Sequence, residues 1–277
     1  MSILQYPMLV SDIDGTLVNR TKKIPAENKQ TLFTFRRQGG LFTLATGRSY
    51  PEAKRFIKEM DVQLPVILCN GGILFDPATN VLKPTATIDR IIVLDTLADL
   101  EKLTGILDIF VYTLDKVYGK DISPLSQSAI EEGEFPLELI QSFHRLPKTP
   151  WIKIVIVAKE DAAPHLQHWA QNMDYPLELV QSSQYYYELL PLNVSKGNAV
   201  RKLAERYDLD VGQCAAIGDH LNDLSMIQVT GASAAVANAH PTLMQAAQQI
   251  VPSNDEAGVA HFIRNHLLST VSYVQGS

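Results

Sequence analysis

Asp12 and Asp14 stand two residues apart in the segment Ser11-Asp12-Ile13-Asp14-Gly15-Thr16. In a strand, residues at that spacing face the same side, and Gly15 permits a sharp turn directly afterwards. A carboxylate can attack a phosphoryl group as a covalent nucleophile. A second carboxylate beside it can protonate the leaving oxygen and later activate water. Far along the chain, Gly218-Asp219-His220-Leu221-Asn222-Asp223 adds two more carboxylates and an amide, and Thr46 adds a hydroxyl. Carboxylates gathered at one point repel one another unless a cation lies among them. Hard oxygen donors suit Mg²⁺, whereas a cluster without cysteine does not suit zinc. Phosphoryl transfer also needs cationic groups around the equatorial oxygens. Lys196, at the opening of a helix, is the lysine best placed to supply one.

Such residues need elements that bring them to one place. Met8-Leu9-Val10 is a short apolar run leading to Asp12. Pro25 opens a helix to Gln38, closed by Gly39-Gly40. Leu41 to Ala45 reads as a second buried strand ending at Thr46-Gly47-Arg48, and Pro51 begins a helix running to Met60. Pro65 to Cys69 reads as a third strand, ending at Asn70-Gly71-Gly72. Continuous apolar strands alternating with helices predict an α/β fold with a doubly wound, mostly parallel sheet. The middle of the chain differs. It reads as a helix from Asp89 to Leu103, a hairpin over Leu107 to Tyr118, a strand from Trp151 to Ala158 and a helix from Asp161 to Asn172. A strand pair follows, Leu177 to Val180 with Tyr185 to Leu190; helices with strand pairs predict an α+β unit with an antiparallel sheet. After Ser195 the first pattern returns, with helices near Gly197 to Tyr207, Asp223 to Gln228 and Ala257 to Leu268 and strands at Cys214 to Ile217 and Ala234 to Ala237. The expected organisation is a catalytic core of residues 1–83 plus 194–277, interrupted by an inserted cap domain of residues 84–193. Open α/β sheets carry their sites at the carboxyl ends of strands, where Asp12, Asp14, Thr46, Asp219, Asn222 and Asp223 fall.

With 46% hydrophobic and 19% charged residues in a 277-residue chain, the composition is that of a globular protein. The net charge of −6 and the lack of any long basic cluster argue against nucleic acid as a partner. No run approaches the length of a membrane span and no leader pattern opens the chain, so a cytoplasmic protein without a membrane partner is expected. Cys69 and Cys214, far apart in apolar runs, fit a reducing compartment. The expected partner is a small phosphorylated metabolite; monomer and weak dimer both stay open.

The ordered set Asp12-Ile13-Asp14-Gly15-Thr16, Thr46-Gly47-Arg48, Lys196 and Gly218-Asp219-His220-Leu221-Asn222-Asp223 resembles the haloacid dehalogenase superfamily of phosphohydrolases. The insertion between the second and third segments looks like that family's type IIB cap. Asn70-Gly71-Gly72 and Asn254-Asp255-Glu256-Ala257-Gly258-Val259 look like its Cof-type branch. The resemblance implies that Asp12 is the nucleophile and a Mg²⁺ ligand. It makes Asp14 the general acid/base, lending its backbone carbonyl to the metal. Thr46 would bond the phosphoryl group, Lys196 would steady that group and the nucleophile, and Asn222 would hold the phosphate or Lys196. Asp219 would be a metal ligand, with Asp223 supporting the metal directly or through water. Gly47, Arg48, Asn70 and Gly71 join the expected phosphate- and substrate-binding set, with Arg48 reaching either the phosphate or a carboxylate. The implied activity is Mg²⁺-dependent hydrolysis of a sugar phosphate or phosphorylated cofactor through an aspartyl-phosphate. A phosphomutase or phosphotransferase using the same intermediate, or a binding protein on the same fold, are the alternatives. His220 stands where a small or amide residue is common and reads as filling the loop. Tyr185-Tyr186-Tyr187 reads as strand packing rather than a substrate platform.

Overall fold

β1 (Met8–Ser11) is buried at every position, as a strand inside a sheet covered on both faces must be. The computed structural model describes residues 4–131 and 135–268. After β1 the chain forms α1 (Ala26–Arg37), β2 (Leu41–Leu44), α2 (Tyr50–Glu59), β3 (Val66–Leu68), β4 (Ile73–Asp76) and β5 (Val81–Pro84). Next come α3 (Arg90–Leu100), β6 (Ile106–Tyr112), β7 (Val117–Gly119), α4 (Pro124–Glu131), β8 (Leu137–Leu139), β9 (Lys153–Ala158), α5 (Ala163–Asn172), β10 (Leu177–Gln181) and β11 (Tyr186–Pro191). The chain then forms α6 (Lys196–Arg206), β12 (Cys214–Gly218), α7 (Leu224–Val229), β13 (Ala232–Val236), α8 (Pro241–Ala246), β14 (Gln249–Val251) and α9 (Gly258–Phe262).

The parallel sheet runs β14-β13-β12-β1-β2, so β1 lies between β12 and β2. Register then assembles the site. Ser11 stands level with Ile217 on one side and Leu44 on the other, and the Asp12 amide donates to the Ile217 carbonyl at 3.1 Å. Three strand ends therefore deliver Asp12, Gly218-Asp219 and Ala45-Thr46 to one edge.

The third expected parallel strand behaves differently. β3 touches the parallel sheet through a single bridge, Ala45 to Ile67, and otherwise pairs antiparallel with β4 in a three-stranded β3-β4-β5 sheet. The β4–β5 hairpin was not expected from sequence. Its turn ends at Asn80 with φ 55°, a left-handed conformation Asn tolerates. The short elements α4, β8, α8 and β14 were also not foreseen, being three to eight residues long.

The second large sheet runs β10-β11-β9-β6-β7-β8 and is antiparallel except for the β7–β8 pair. Period-2 alternation divides its two faces. Ile154, Ile156 and Ala158 of β9, with Ile109 and Val111 of β6, pack into a separate core with Val93 and Leu97 of α3 and Leu166 of α5. Val155 and Val157, with Phe110 and Tyr112, turn the other way and join the core of the parallel sheet. Both faces are apolar, so sequence alone shows a strong strand without showing which residues face the site.

Candidate active site

Lys196 organises the acidic residues. It opens α6, whose N-cap Ser195 accepts the Asn198 amide at 3.2 Å. The Lys196 side chain is fully buried, and its Nζ donates to Asp12 Oδ1 at 2.6 Å and Asp223 Oδ1 at 2.5 Å. Asp223 Oδ2 accepts the backbone amides of Asp219 at 2.9 Å and His220 at 3.2 Å. Both oxygens of Asp223 are thus engaged inside the protein, which makes it a support for the centre. Asp219 Oδ1 accepts the Thr16 hydroxyl at 3.2 Å. Asp12, Asp219 and Asp223 each bring an oxygen within 4.8 Å of the others.

The electrostatics follow from burial. Desolvation pushes the Asp12 carboxyl up to about 7; Lys196 opposes this, while Asp223 and Asp14 add to it. Asp219 is raised well above the carboxylate range, by burial first and by Asp12 and Asp223 next. With all three carboxylates ionised, as a bound cation would require, the single lysine would leave two negative charges uncompensated. That charge and the all-oxygen donor set fit a divalent hard cation such as Mg²⁺.

Gly15 allows this packing. Its φ is +71°, and a Cβ there would lie 2.2 Å from Asp219 Oδ2. Gly15→Ala is therefore expected to destabilise the fold by about 1–3 kcal/mol through left-handed strain. By displacing Asp219 it should also weaken Mg²⁺ affinity by roughly 10–100-fold. Denaturant unfolding and Mg²⁺ titration calorimetry read the two effects separately.

Asp14 is held differently from Asp12. Arg48 grips it bidentately, Nε to Oδ2 at 2.6 Å and Nη2 to Oδ1 at 2.8 Å, and Lys22 Nζ reaches Oδ1 at 3.0 Å. Burial would raise this carboxyl, but Arg48 and then Lys22 more than reverse it and hold Asp14 well below the usual carboxylate range. Of the two partners left open for Arg48, the structure shows the carboxylate. Lys22 carried no sequence signal beyond its place in a polar turn.

Thr46 is buried, and its Oγ1 accepts the Arg48 amide at 3.1 Å; among the described residues its own O–H has no acceptor. The Ser49–Glu52 capping box then starts α2 directly after Thr46-Gly47-Arg48. Thr46, Gly47, Arg48 and Asn222 line one cavity of about 290 Å³ together with Asp12, Asp14 and Asp219. Asn70 and Gly71, expected among the phosphate contacts, are not among the residues lining this cavity, though Asn70 is buried beside Gly47. Asn70, at φ 55°, uses its Oδ1 to accept Asn222 Nδ2 at 3.0 Å and so positions Asn222. Gly71, at φ +100°, lets the chain pass so close to α6 that a Cβ would sit 2.5 Å from the Ser195 carbonyl. Its role is to seat the helix that carries Lys196.

The cavity's other half comes from the six-stranded sheet, and here sequence reasoning missed residues. Lys153 and Glu188 are almost wholly buried and paired at 2.6 Å, and Lys153 Nζ also donates to the Gly47 carbonyl at 2.7 Å. A charge at the head of one apolar strand and another inside Tyr186-Tyr187-Glu188-Leu189-Leu190 was the available signal. Tyr187 packs into the sheet's far core, as expected, but Tyr186 lines the cavity. His220 does not line it; its Nδ1 lies 3.2 Å from the Gln181 carbonyl, joining the acidic loop to the end of β10.

The sequence profile of the haloacid dehalogenase-like hydrolase family matches residues 9–263. A phosphatase of Bacillus subtilis (strain 168), YwpJ, is 29% identical over 94% of this chain and 99% of its own length. The 5-amino-6-(5-phospho-D-ribitylamino)uracil phosphatase YwtE of the same organism is 30% identical over 93% of this chain and 96% of its own. Among solved structures, a haloacid dehalogenase-like hydrolase from B. subtilis superposes with a TM-score of 0.83 at 26% identity, covering 94% of this chain and 100% of that one.

Proposed function

We propose, for a chain that belongs to the haloacid dehalogenase-like hydrolase family and is a hydrolase of phosphoric monoesters, that it cleaves small phosphorylated metabolites through an aspartyl-phosphate on Asp12. The observation that carries this reading is the fully buried Lys196 held between Asp12 and Asp223, beside a second carboxylate, Asp14, on the same loop.

In the first half-reaction a carboxylate oxygen of Asp12 attacks phosphorus and the bond to the leaving oxygen breaks. Asp14 gives that oxygen a proton, so the alcohol departs neutral. In the second half-reaction water attacks the phosphorus. Asp14 takes the water's proton, the Asp12–phosphorus bond breaks and free phosphate leaves. Lys196 and the Thr46 hydroxyl balance charge on the equatorial oxygens. The Arg48 clamp keeps Asp14 ionised and aimed, ready for the second step. Carrying a proton in the first step requires Asp14 to loosen from Arg48, and an incoming phosphate that draws Arg48 to itself supplies that release. Asp12, Asp219 and the Asp14 carbonyl would hold Mg²⁺, with Asp223 behind them. The ion, when bound, offsets the negative charge shared by the nucleophile and the phosphate.

Residues 84–193 serve in this reading as the domain that selects the leaving group and shields the site from water, on the core of residues 1–83 plus 194–277. The acidic balance supports a metabolite rather than nucleic acid as substrate. Among the described residues no helix is long and apolar enough to cross a membrane, and we assign the enzyme to the cytoplasm.

Release of inorganic phosphate from an aryl phosphate with Mg²⁺ tests the reading. Activity that survives EDTA would remove the metal from it. The pH dependence is a second check. Mg²⁺ binds ionised Asp12, whose carboxyl without metal is pushed up to about 7, so a proton competes below that pH. Apparent Mg²⁺ affinity should fall by up to about tenfold per unit between pH 7 and 5. Stability of the metal-free protein runs in the opposite direction. A carboxyl raised from 3.8 to about 7 on folding makes the metal-free protein lose stability as pH rises through that window. The thermal shift given by Mg²⁺ should therefore be larger at pH 8 than at pH 5.5.

A further inference from the structure

We propose that the leaving group accepted by this site is a planar aromatic or heteroaromatic ring bearing its phosphate on a short arm, in preference to a sugar. This rests on the phosphatase reading and names its substrate class. The roof of the cavity is built by register. Phe110, Val155 and Glu188 stand side by side across β6, β9 and β11, and Tyr112 pairs with Lys153 in the next row of β6 and β9. Ile130, Phe135 and Tyr186 complete the roof. Phe135 meets Phe110 edge-on at 5.7 Å and 76°, and Tyr112 edge-on at 5.9 Å and 79°. Phe135, touching both other rings, makes with them an aromatic surface in the cavity wall on which another ring can stack.

The charged groups of the same roof are engaged with one another. Lys153 is shared between Glu188 at 2.6 Å and the Gly47 carbonyl at 2.7 Å, and its Nζ lies 4.5 Å from the Tyr112 ring centre. The Ser126 hydroxyl donates to Asp108. Among the described residues the Ser182 hydroxyl reaches only the Tyr186 carbonyl, at 3.5 Å. A hexose would bring several hydroxyls against this roof, stripped of water and short of partners, a cost that grows with each one. A ring with one or two polar substituents avoids that cost, and the Ser183 hydroxyl, which holds no side-chain hydrogen bond among the described residues, can serve a substituent. At about 290 Å³ the cavity is at the small end of ligand sites, which suits one ring with one phosphate better than a dinucleotide.

The test is a panel with matched leaving groups. Benzyl phosphate and pyridoxal 5′-phosphate carry phosphate on a CH₂–O arm, as glucose 6-phosphate does; acetyl phosphate carries no ring. With Mg²⁺ and phosphate release as readout, the two aromatic esters are expected to show kcat/KM at least tenfold above glucose 6-phosphate, expressed in KM. Phe135→Ala should raise KM for the aromatic esters at least fivefold more than KM for acetyl phosphate, and Phe110→Leu should do the same more weakly. A hexose phosphate that equals or exceeds the aromatic esters would overturn the inference while leaving the phosphatase reading intact. Loss of preference shared equally by acetyl phosphate in both variants would also overturn it. No enzyme-dependent phosphate release from any of the esters or from the acyl phosphate would sink the phosphatase reading itself and the inference with it.

Discussion

Asp12→Asn should reduce phosphate release by about 10⁴-fold or more while leaving the protein folded. The amide keeps the shape of the carboxylate and can still accept from Lys196, which at present donates to Asp12 Oδ1 at 2.6 Å. What it loses is the nucleophilic oxygen, and no neighbouring group replaces it. Asp219 and Asp223 are committed to Thr16, Lys196 and the loop amides, and Asp14 is bound by Arg48. Stability should move the other way. Ionised Asp12 is disfavoured by burial, since its carboxyl is raised to about 7, so a neutral side chain removes an unfavourable charge from the metal-free protein above that pH. Thermal unfolding at pH 8 without metal should give a Tm no lower than the parent's. A variant retaining more than a few per cent of kcat would show that the phosphoryl group is transferred elsewhere.

Lys196→Met carries the second large effect, with both readouts falling. The ammonium is fully buried and is the cation that both Asp12 and Asp223 contact. Removing it leaves two carboxylates face to face without compensation, and breaking a buried pair in this way costs about 3–5 kcal/mol. Phosphate release should fall by roughly 10²–10³-fold, the scale seen when one preorganised charge-stabilising group is lost. The stability deficit has a definite pH signature. Without the lysine the Asp12 carboxyl, which Lys196 now pulls down, is raised further, so its protonation relieves the deficit as pH falls. Denaturant unfolding should show a larger loss at pH 8 than at pH 5.5, and added Mg²⁺ should restore part of it at pH 8. A deficit independent of pH would mean that packing, rather than charge, is what Lys196 contributes. Lys196→Arg is not expected to rescue, because a planar guanidinium cannot occupy the volume of a point charge lying 2.6 and 2.5 Å from two fixed oxygens.

Sequence alone determined the acidic centre and the sheet that carries it. Apolar runs that stop abruptly at Asp12, Thr46 and Gly218-Asp219 mark the carboxyl ends of buried strands, and in a parallel sheet those ends share one edge. The glycines at 15 and 218 are part of the same signal, since a Cβ at either would strike an oxygen of Asp219 or Asp223. The tertiary structure decided what depends on register and on partners far apart in the chain. Arg48 had two possible partners in sequence and was found to hold Asp14, 34 residues away. Asn70 and Gly71 are expected among the phosphate contacts, and the structure adds that Asn70 holds Asn222 and Gly71 packs against the start of α6. The Lys153–Glu188 pair bonds across 35 residues and reaches Gly47 across 106. Phe110 and Val155 face the site while Ile109 and Ile154 face the opposite core, although all four are apolar residues of one sheet. A one-residue shift in pairing would exchange those faces without changing the hydrophobicity of either strand. The bond that breaks is therefore legible in the order of the polar strand ends, whereas the surface against which the leaving group rests exists only once β6, β9 and β11 are aligned.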